Sequence, residues 1–289
     1  MEQTINKKPK YNEIVFTEEQ QKQIIDMYIN QNMSTVKISN MFNCGNKVIA
    51  KVLEKHNIPR TGIGRRKYSL NEHYFDEIDT PIKAYILGFF YADGCNYMPK
   101  RTISMSLQEE DKYILERIRN EIGCKHELEF IDYSNKHDFG YTYKNQYRLL
   151  LFSAHMCRTL EEKGMSPNKS LILEFPEWLD ESLYSHFIRG YFDGDGSVVF
   201  PTYSDSAIVT ITSTENFCMF IKEYVEKTLS VSGYITDASN HNGITKVFGI
   251  GNKQKVKTFL DWLYKDADIY LERKYQKYIN KYYNSSYVA

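Results

Sequence analysis

The chain has few of the features that mark secreted, membrane or zinc-binding proteins. Its five cysteines are an odd number, widely spaced and without a Cys-x-x-Cys pair, so neither a disulfide framework nor a zinc knuckle is indicated. No apolar run approaches ~18 residues, and the first residues lack a hydrophobic signal core, so we expect a soluble intracellular protein. The sequence also lacks a His-x-x-x-His pair, a P-loop and a dinucleotide fingerprint, which excludes the enzyme classes that carry those motifs.

An overall excess of either charge is also missing, since 37 basic residues balance 37 acidic ones. The balance differs along the chain, however. Residues 1–70 hold 12 Lys and Arg against 6 Asp and Glu, a balance of +6, which leaves 25 against 31, or −6, for residues 71–289. A nucleic-acid-binding surface is normally basic. The N-terminal region therefore carries the basic excess, and the remainder would have to gather its positive charge on one face.

Three short helices are predicted near the N-terminus. The first starts after Thr17, which forms a capping-box sequence with Gln20, and the others cover residues 34–42 and 46–56. The third helix has an apolar face, and the opposite face carries a row of lysines: Lys47, Lys51 and Lys55. This order of helices predicts a helix-turn-helix DNA-binding domain over residues 1–57. A three-helix bundle that contacts protein, or nothing, is the alternative.

A basic linker is predicted over residues 58–74. Residues 58–67 contain one proline, two glycines and four cations, without hydrophobic periodicity. An arm of this kind beside a helix-turn-helix can place Arg65 and Arg66 in the narrow, electronegative minor groove of DNA. An ordinary solvated hinge explains the composition equally well.

One phrase occurs twice in the rest of the chain. Residues 86–94 read Ile-Leu-Gly-Phe-Phe-Tyr-Ala-Asp-Gly, and 102 positions later residues 188–196 read Ile-Arg-Gly-Tyr-Phe-Asp-Gly-Asp-Gly. Each is predicted to be a helix with small residues at i and i+4, namely Gly88 with Ala92 and Gly190 with Gly194. Such stripes allow two helices to approach closely, so we expect the two helices to pack against each other.

Each of these helices closes on a carboxylate, Asp93 in the first and Asp195 in the second. A negative charge is unfavourable at the C-terminal end of a helix, where the macrodipole is itself negative. Two such anions brought together also repel each other. The arrangement therefore predicts a divalent cation between them.

The surrounding segments repeat as well. Residues 101–108 and 207–213 alternate between apolar and polar side chains, which predicts strands, and a helix, a further strand and another helix follow in each copy. We therefore predict an α+β fold of two pseudo-symmetric αββαββα units, over residues 75–179 and 180–289.

Both phrases resemble the LAGLIDADG motif, and the pair is similar to a single-chain LAGLIDADG homing endonuclease with two motif copies. The second copy matches closely, whereas Tyr91 replaces the usual Asp at the sixth position of the first copy, a position that is not a metal ligand in the family. The resemblance covers about residues 75–285. It implies a DNA-binding saddle formed by the two sheets. It also implies that Asp93 and Asp195, with the adjacent Ala92 and Gly194, bind a divalent metal, Mg²⁺ or alternatively Mn²⁺.

A second matched pair is basic. Lys169 lies 76 residues after Asp93, and Lys274 lies 79 residues after Asp195. The resemblance implies that these are catalytic lysines, which organise the attacking water or stabilise developing charge. Since lysine is common in this chain, a pair of solvated side chains is the alternative. Polar residues on the predicted strands are candidate contacts with DNA bases: Thr102, Ser104, Ser106, Gln108, Thr210 and Thr212.

These features together predict a monomeric, site-specific double-strand DNA endonuclease. The resemblance implies a long asymmetric target and a mobile intron or intein as the genetic setting, with the intron favoured because no splicing domain flanks the nuclease. The alternative is a nucleic-acid binder that keeps the fold without cutting, such as an intron RNA maturase or a transcription regulator. Decay of the nuclease should remove the acidic residues first, and both are present, which favours the enzyme.

Overall fold

The computed structural model describes residues 14–31, 33–58, 69–134, 137–138, 141–166, 169–201, 205–238 and 245–284. The side chains of residues 137, 138, 141, 142 and 170 are not described. The chain divides into two compact units, an N-terminal unit over Met1–Lys67 and a C-terminal unit over Tyr68–Ala289. Arg65 and Arg66, predicted to enter the minor groove, lie outside the described residues.

The N-terminal unit contains the three predicted helices, α1 (Glu18–Ile29), α2 (Thr35–Met41) and α3 (Asn46–Lys55). Thr17 and Gln20 form the predicted capping box at the start of α1, because each side chain accepts a hydrogen bond from the other residue's backbone N–H. Apolar side chains from all three helices form one core, which includes Ile24, Tyr28, Ile38, Ile49 and Leu53. Burial of this shared face stabilises helices that would be too short to persist alone.

The C-terminal unit consists of two halves that share the order αββαββα, with a short hairpin added in the first half and a further helix at the end of the second. The first half comprises α4 (Pro81–Asp93), β1 (Cys95–Tyr97), β2 (Thr102–Gln108), α5 (Lys112–Glu121), β3 (Glu129–Ile131), a short hairpin of β4 (His137–Asp138) and β5 (Tyr141–Thr142), β6 (Gln146–Phe152) and α6 (Ala154–Glu162). The second half comprises α7 (Tyr184–Asp195), β7 (Gly196–Val199), β8 (Ile208–Ser213), α8 (Glu215–Leu229), β9 (Tyr234–Asp237), β10 (Lys246–Gly251), α9 (Lys253–Leu263) and α10 (Glu272–Tyr282). The predicted α+β fold with two αββαββα units is confirmed.

Each half builds one four-stranded antiparallel sheet, in the order β1-β2-β6-β3 in the first half and β7-β8-β10-β9 in the second. Strand alternation fixes which face of each sheet is buried. In β2 the buried side chains are Ile103, Met105 and Leu107, and in β8 they include Val209 and Ile211. The residues between them therefore lie on the opposite face.

Helices α4 and α7 pack against each other in the core shared by both halves. Residues 84–91 of α4 are all buried, which explains why this helix is apolar on every side. Leu70 and Tyr74, which fall within the linker assigned from the sequence, pack into this core and so belong to the C-terminal unit. Among the described residues, none of the helices is both long and apolar enough to cross a bilayer.

Candidate metal centre between two helices

The two glycines of the repeated phrase lie where the backbones of α4 and α7 touch. A Cβ built on Gly88 would lie 2.0 Å from the carbonyl oxygen of Phe187, and one built on Gly190 would lie 2.0 Å from the carbonyl oxygen of Tyr85. Tyr85 and Phe187 are themselves 102 positions apart, so the two contacts are related by the repeat. Only glycine permits this approach, which fixes the register of the two helices against each other.

The same packing brings the C-terminal ends of the two helices together. A Cβ built on Gly194 would lie 2.3 Å from the Cβ of Ala92 and 3.1 Å from Oδ2 of Asp93. The carboxylate of Asp93 therefore reaches the residue that precedes Asp195. All four residues assigned to the metal from the sequence, Asp93, Asp195, Ala92 and Gly194, lie at this one contact.

Electrostatics at this contact disfavour two free carboxylates. The pKa of Asp93 is raised to about 6, first by desolvation among the surrounding groups and second by the charge of Asp195. Desolvation also raises the pKa of Asp195, and Lys169 is the first of the groups that oppose this shift. A cation between the two carboxylates would relieve both effects.

The two predicted lysines are buried and lie at the same helix ends. Nζ of Lys169 donates a hydrogen bond to the carbonyl of Ala92 at 2.8 Å. Nζ of Lys274 donates to three carbonyls, those of Phe192 at 2.5 Å, Asp193 at 2.9 Å and Gly196 at 2.5 Å. Neither lysine is a freely solvated surface side chain, because the residues are only 9% and 5% exposed. Lys274 belongs to the first turn of α10.

Burial lowers the pKa of both lysines and so favours their neutral form. Desolvation lowers the pKa of Lys169, while Asp195 and Asp93 oppose the shift. Desolvation likewise lowers the pKa of Lys274 to about 8, and the negative charge of Asp193 is the first group to oppose it. Both ammonium groups therefore lie within the field of the paired carboxylates.

The sixth positions of the two phrases make contacts that the sequence did not predict. The Asp193 carboxylate is buried and accepts hydrogen bonds from the Tyr85 hydroxyl at 2.9 Å and from the Leu271 N–H at 2.8 Å. Tyr91, at the equivalent position of the first half, donates its hydroxyl hydrogen bond to the carbonyl of Lys163. Each side chain thus ties its helix to the segment that leads to the lysine of its own half.

The predicted base-contacting residues share the face of each sheet that is turned away from the core. Thr102, Ser104 and Ser106 of β2 and Thr210 and Thr212 of β8 are partly exposed, and Gln108 is exposed. The Ser106 hydroxyl accepts a hydrogen bond from Arg148 Nε at 3.0 Å, which places a cation on the same face. In the N-terminal unit, Lys47, Lys51 and Lys55 are exposed on α3, opposite the buried Val48 and Val52.

Comparison with known proteins gives several distant likenesses. No protein-family model matches the chain. A curated relative, the DNA-directed RNA polymerase subunit Rpo1C of Methanocaldococcus jannaschii, is 30% identical over 129 residues, which are 45% of this chain. The match spans only 14% of the length of that subunit.

Three solved structures resemble the chain at low sequence identity. The meganuclease I-SmaMI bound to uncleavable DNA is 12% identical, with a TM-score of 0.45, over 70% of this chain and 88% of that one. The I-LtrWI LAGLIDADG homing endonuclease bound to target DNA is 10% identical, with a TM-score of 0.41, over 72% and 88% of the two chains. The N-terminal LAGLIDADG domain of DUF199/WhiA is 16% identical, with a TM-score of 0.42, over 67% and 89%.

Proposed function

We propose that the C-terminal unit is a divalent-metal-dependent endonuclease of the LAGLIDADG class that cuts both strands of a long, asymmetric DNA target as a monomer. The observation that carries this proposal is the meeting of Asp93 and Asp195 at the ends of two helices in backbone contact. A purely structural helix pair would gain nothing from two neighbouring carboxylates at its negative ends.

The donor set at this contact fits a hard divalent cation. Asp93 and Asp195 supply carboxylate oxygens, and the backbone of Gly194 leaves room beside Asp93 that a larger residue would fill. The Ala92 carbonyl already accepts a hydrogen bond from Lys169, so the carboxylates are the main candidate ligands. Oxygen ligands of this kind favour Mg²⁺ over softer ions, with Mn²⁺ as an alternative. A bound divalent ion would neutralise negative charge on the scissile phosphate, and it would lower the pKa of a water molecule bound to the ion.

The other residues of the site hold and polarise this centre. Lys169 interacts electrostatically with both carboxylates and, in this proposal, orients the attacking water or stabilises charge that develops on the phosphate. Lys274 has a different task, since its three hydrogen bonds hold the end of α7 and so fix the position of Asp195. One carboxylate and one lysine in each half match the twofold relation of the two DNA strands.

The polar faces of the sheets would contact the target. Thr102, Ser104, Ser106 and Gln108 of β2 and Thr210 and Thr212 of β8 offer hydroxyl and amide groups at strand spacing, and such groups read base edges in the major groove. Arg148 on the same face would bind phosphate or guanine. The long asymmetric target and the mobile-intron setting follow from the resemblance of the two phrases.

A cleavage selection tests the function directly. A randomised DNA duplex library would be incubated with Mg²⁺ and either the wild-type protein or the Asp93→Asn/Asp195→Asn double variant. We expect cut duplexes with a shared sequence from the wild-type protein and none from the double variant. If both proteins enrich bound duplexes and neither releases cut ends, the chain is a nucleic-acid binder, as in the maturase or regulator alternative.

The N-terminal unit is proposed to be a helix-turn-helix that adds affinity. Its basic balance and the exposed lysines of α3 support this role. Deleting residues 1–67 removes the unit but keeps the contact between the Ser69 carbonyl and the Lys125 N–H in the C-terminal unit. The truncated protein should bind its target more weakly and with a smaller dependence of log affinity on log salt, by about one for each lost phosphate contact. An unchanged salt slope would mean that this unit does not bind DNA.

A further inference from the structure

A second cluster of metal-binding side chains lies on the surface of the first half. His73 and Asp76 belong to the segment before α4, and His155 lies in the first turn of α6, 82 positions after His73. Oδ2 of Asp76 lies 2.7 Å from Nδ1 of His73, and Oδ1 lies 2.6 Å from Nε2 of His155. The carboxylate thus bridges two imidazoles whose ring centroids are 4.4 Å apart.

The spacing of these atoms is close to that of a coordination sphere. One ligand atom from each of the three residues lies within 4.8 Å of the other two. Zn²⁺ binds imidazole nitrogen and carboxylate oxygen at about 2.0–2.2 Å, which puts neighbouring ligand atoms of a tetrahedral site about 3.3 Å apart. The side chain of His73 is 66% exposed, so a rotation into this geometry meets little resistance.

The surroundings leave the cluster open for a further ligand. His155, Thr159 and Glu162 follow each other along one face of α6 and line a cleft of about 500 Å³ together with Asp76. Thr159 Oγ1 lies 3.3 Å from Oδ1 of Asp76, which would orient the carboxylate. Lys163, a cationic residue that lines the cleft, lies over the ring of Trp178, with Nζ 4.5 Å from its centroid, and is thereby directed to the ring.

Among the described residues of the second half, the cluster has no equivalent. Positions 102 residues after His73 and Asp76 are Phe175 and Trp178, neither of which can bind a metal. Phe175 instead stacks on Phe220 of α8, with ring centroids 4.0 Å apart. The segment before α7 is therefore anchored by aromatic packing, whereas the segment before α4 carries the polar cluster. Symmetry of the repeat does not account for these three residues.

We propose that His73, Asp76 and His155 form a binding site for one transition-metal ion of the Zn²⁺ type, with water as the fourth ligand. Two imidazoles and one carboxylate suit Zn²⁺, Co²⁺ or Ni²⁺, whereas the all-oxygen centre at Asp93 and Asp195 suits Mg²⁺. The bound ion connects the segment that leads into α4 with α6, and so anchors the start of the first half. This site is independent of the proposed nuclease activity.

Metal titration of the full chain tests the site. The measurements use the Asp93→Asn/Asp195→Asn background, so that the carboxylates between α4 and α7 do not contribute. Zn²⁺ titrated in a calorimeter should bind with a stoichiometry of one per chain. Co²⁺ should give the visible d–d absorption of a four-coordinate site. His73→Ala and His155→Ala should each weaken Zn²⁺ binding by at least about tenfold. His126→Ala, which changes a histidine outside the cluster, should leave binding unchanged.

Two readouts separate loss of the site from loss of the fold. Without metal, the His73→Ala variant should have the Tm and circular dichroism of its parent, since that side chain is exposed. Zn²⁺ should then raise the Tm of the parent but not of the variant. Undiminished one-to-one binding in both histidine variants would overturn the proposal. Cobalt–thiolate absorption would also overturn it, because it would assign the ion to a cysteine such as the exposed Cys95.

Discussion

The two halves of the C-terminal unit differ in how a lysine holds the end of the central helix. In the first half, Lys169 donates one described hydrogen bond, to the last turn of α4. In the second half, Lys274 donates three, to the last turn of α7 and to the residue beyond it. The glycine contacts show no such difference, since a Cβ built on Gly88 or on Gly190 would lie the same 2.0 Å from a backbone carbonyl oxygen of the other helix. The repeat therefore preserves the backbone geometry that brings Asp93 and Asp195 together. It does not preserve the side chains that support each carboxylate.

This difference has a physical consequence for the proposed centre. All three N–H donors of Lys274 are engaged by carbonyls, so its ammonium group acts as a cap for the end of α7. Lys169 makes its described hydrogen bond to Ala92 and otherwise interacts electrostatically with both carboxylates. Lys169 is thus the better candidate for contact with water or phosphate, and Lys274 for positioning Asp195.

Replacing each of the two lysines should show the greatest difference in stability between the two halves. Lys274→Met would leave three carbonyls and the buried Asp193 carboxylate without their cation, and we expect a loss of about 3 to 5 kcal/mol in the free energy of unfolding. Lys169→Met removes one such hydrogen bond and should cost only about 1 kcal/mol. Urea denaturation of both variants measures the difference, and equal losses would contradict the unequal roles.

Substitution of the two helix glycines should lower the stability equally, in contrast to substitution of the two lysines. Gly88→Ala and Gly190→Ala each place a Cβ 2.0 Å from a backbone oxygen, so α4 and α7 must separate. We expect each substitution to lower the free energy of unfolding by about 3 kcal/mol, as overpacking of a backbone contact does. Gly251→Ala is a matched control, because a Cβ there meets nothing within 4 Å. A loss confined to one of the two helix glycines would show that the backbone contact is not symmetric.

A smaller effect should appear in the pH dependence of stability without metal. The pKa of Asp93 is raised to about 6 by desolvation and by Asp195, so folding favours its protonated form. Stability should therefore fall as the pH rises from about 4 to about 6, in buffer with a chelator. Asp93→Asn should remove more of this slope than Asp195→Asn, since both desolvation and the charge of Asp195 raise the pKa of Asp93, whereas desolvation alone raises that of Asp195. Urea denaturation across this range measures it, and an unchanged slope in Asp93→Asn would contradict the assignment.

Much of this architecture could be predicted from the sequence, because helices and strands leave periodic patterns of apolar residues along the chain. Alternation in residues 101–108 and 207–213 located β2 and β8, and the repeated phrase located α4 and α7 as well as the carboxylates at their ends. Lys274 was expected beside the second carboxylate. Its hydrogen bonds to three carbonyls depend on where α10 packs, however, and no local sequence pattern specifies the position of α10.

The polar cluster on the first half was missed for a related reason. His73 and Asp76 stand in a recognisable His-x-x-Asp spacing, yet their partner His155 comes from a helix 82 positions after His73. A search for paired histidines along the chain cannot find it. The same limit applies to Asp193, whose hydrogen bonds with Tyr85 and the Leu271 N–H join three distant segments.

Asp93 and Asp195 are proposed to form one cutting centre together, while the sheets hold the DNA. This claim is tested most directly by strand-specific cleavage and binding of one selected duplex in Mg²⁺, with the single variants Asp93→Asn and Asp195→Asn beside the wild-type protein. Each variant should bind within roughly tenfold of the wild-type affinity, about 1.4 kcal/mol, and should lose double-strand cutting. Wild-type rates of double-strand cutting by either variant would contradict the claim.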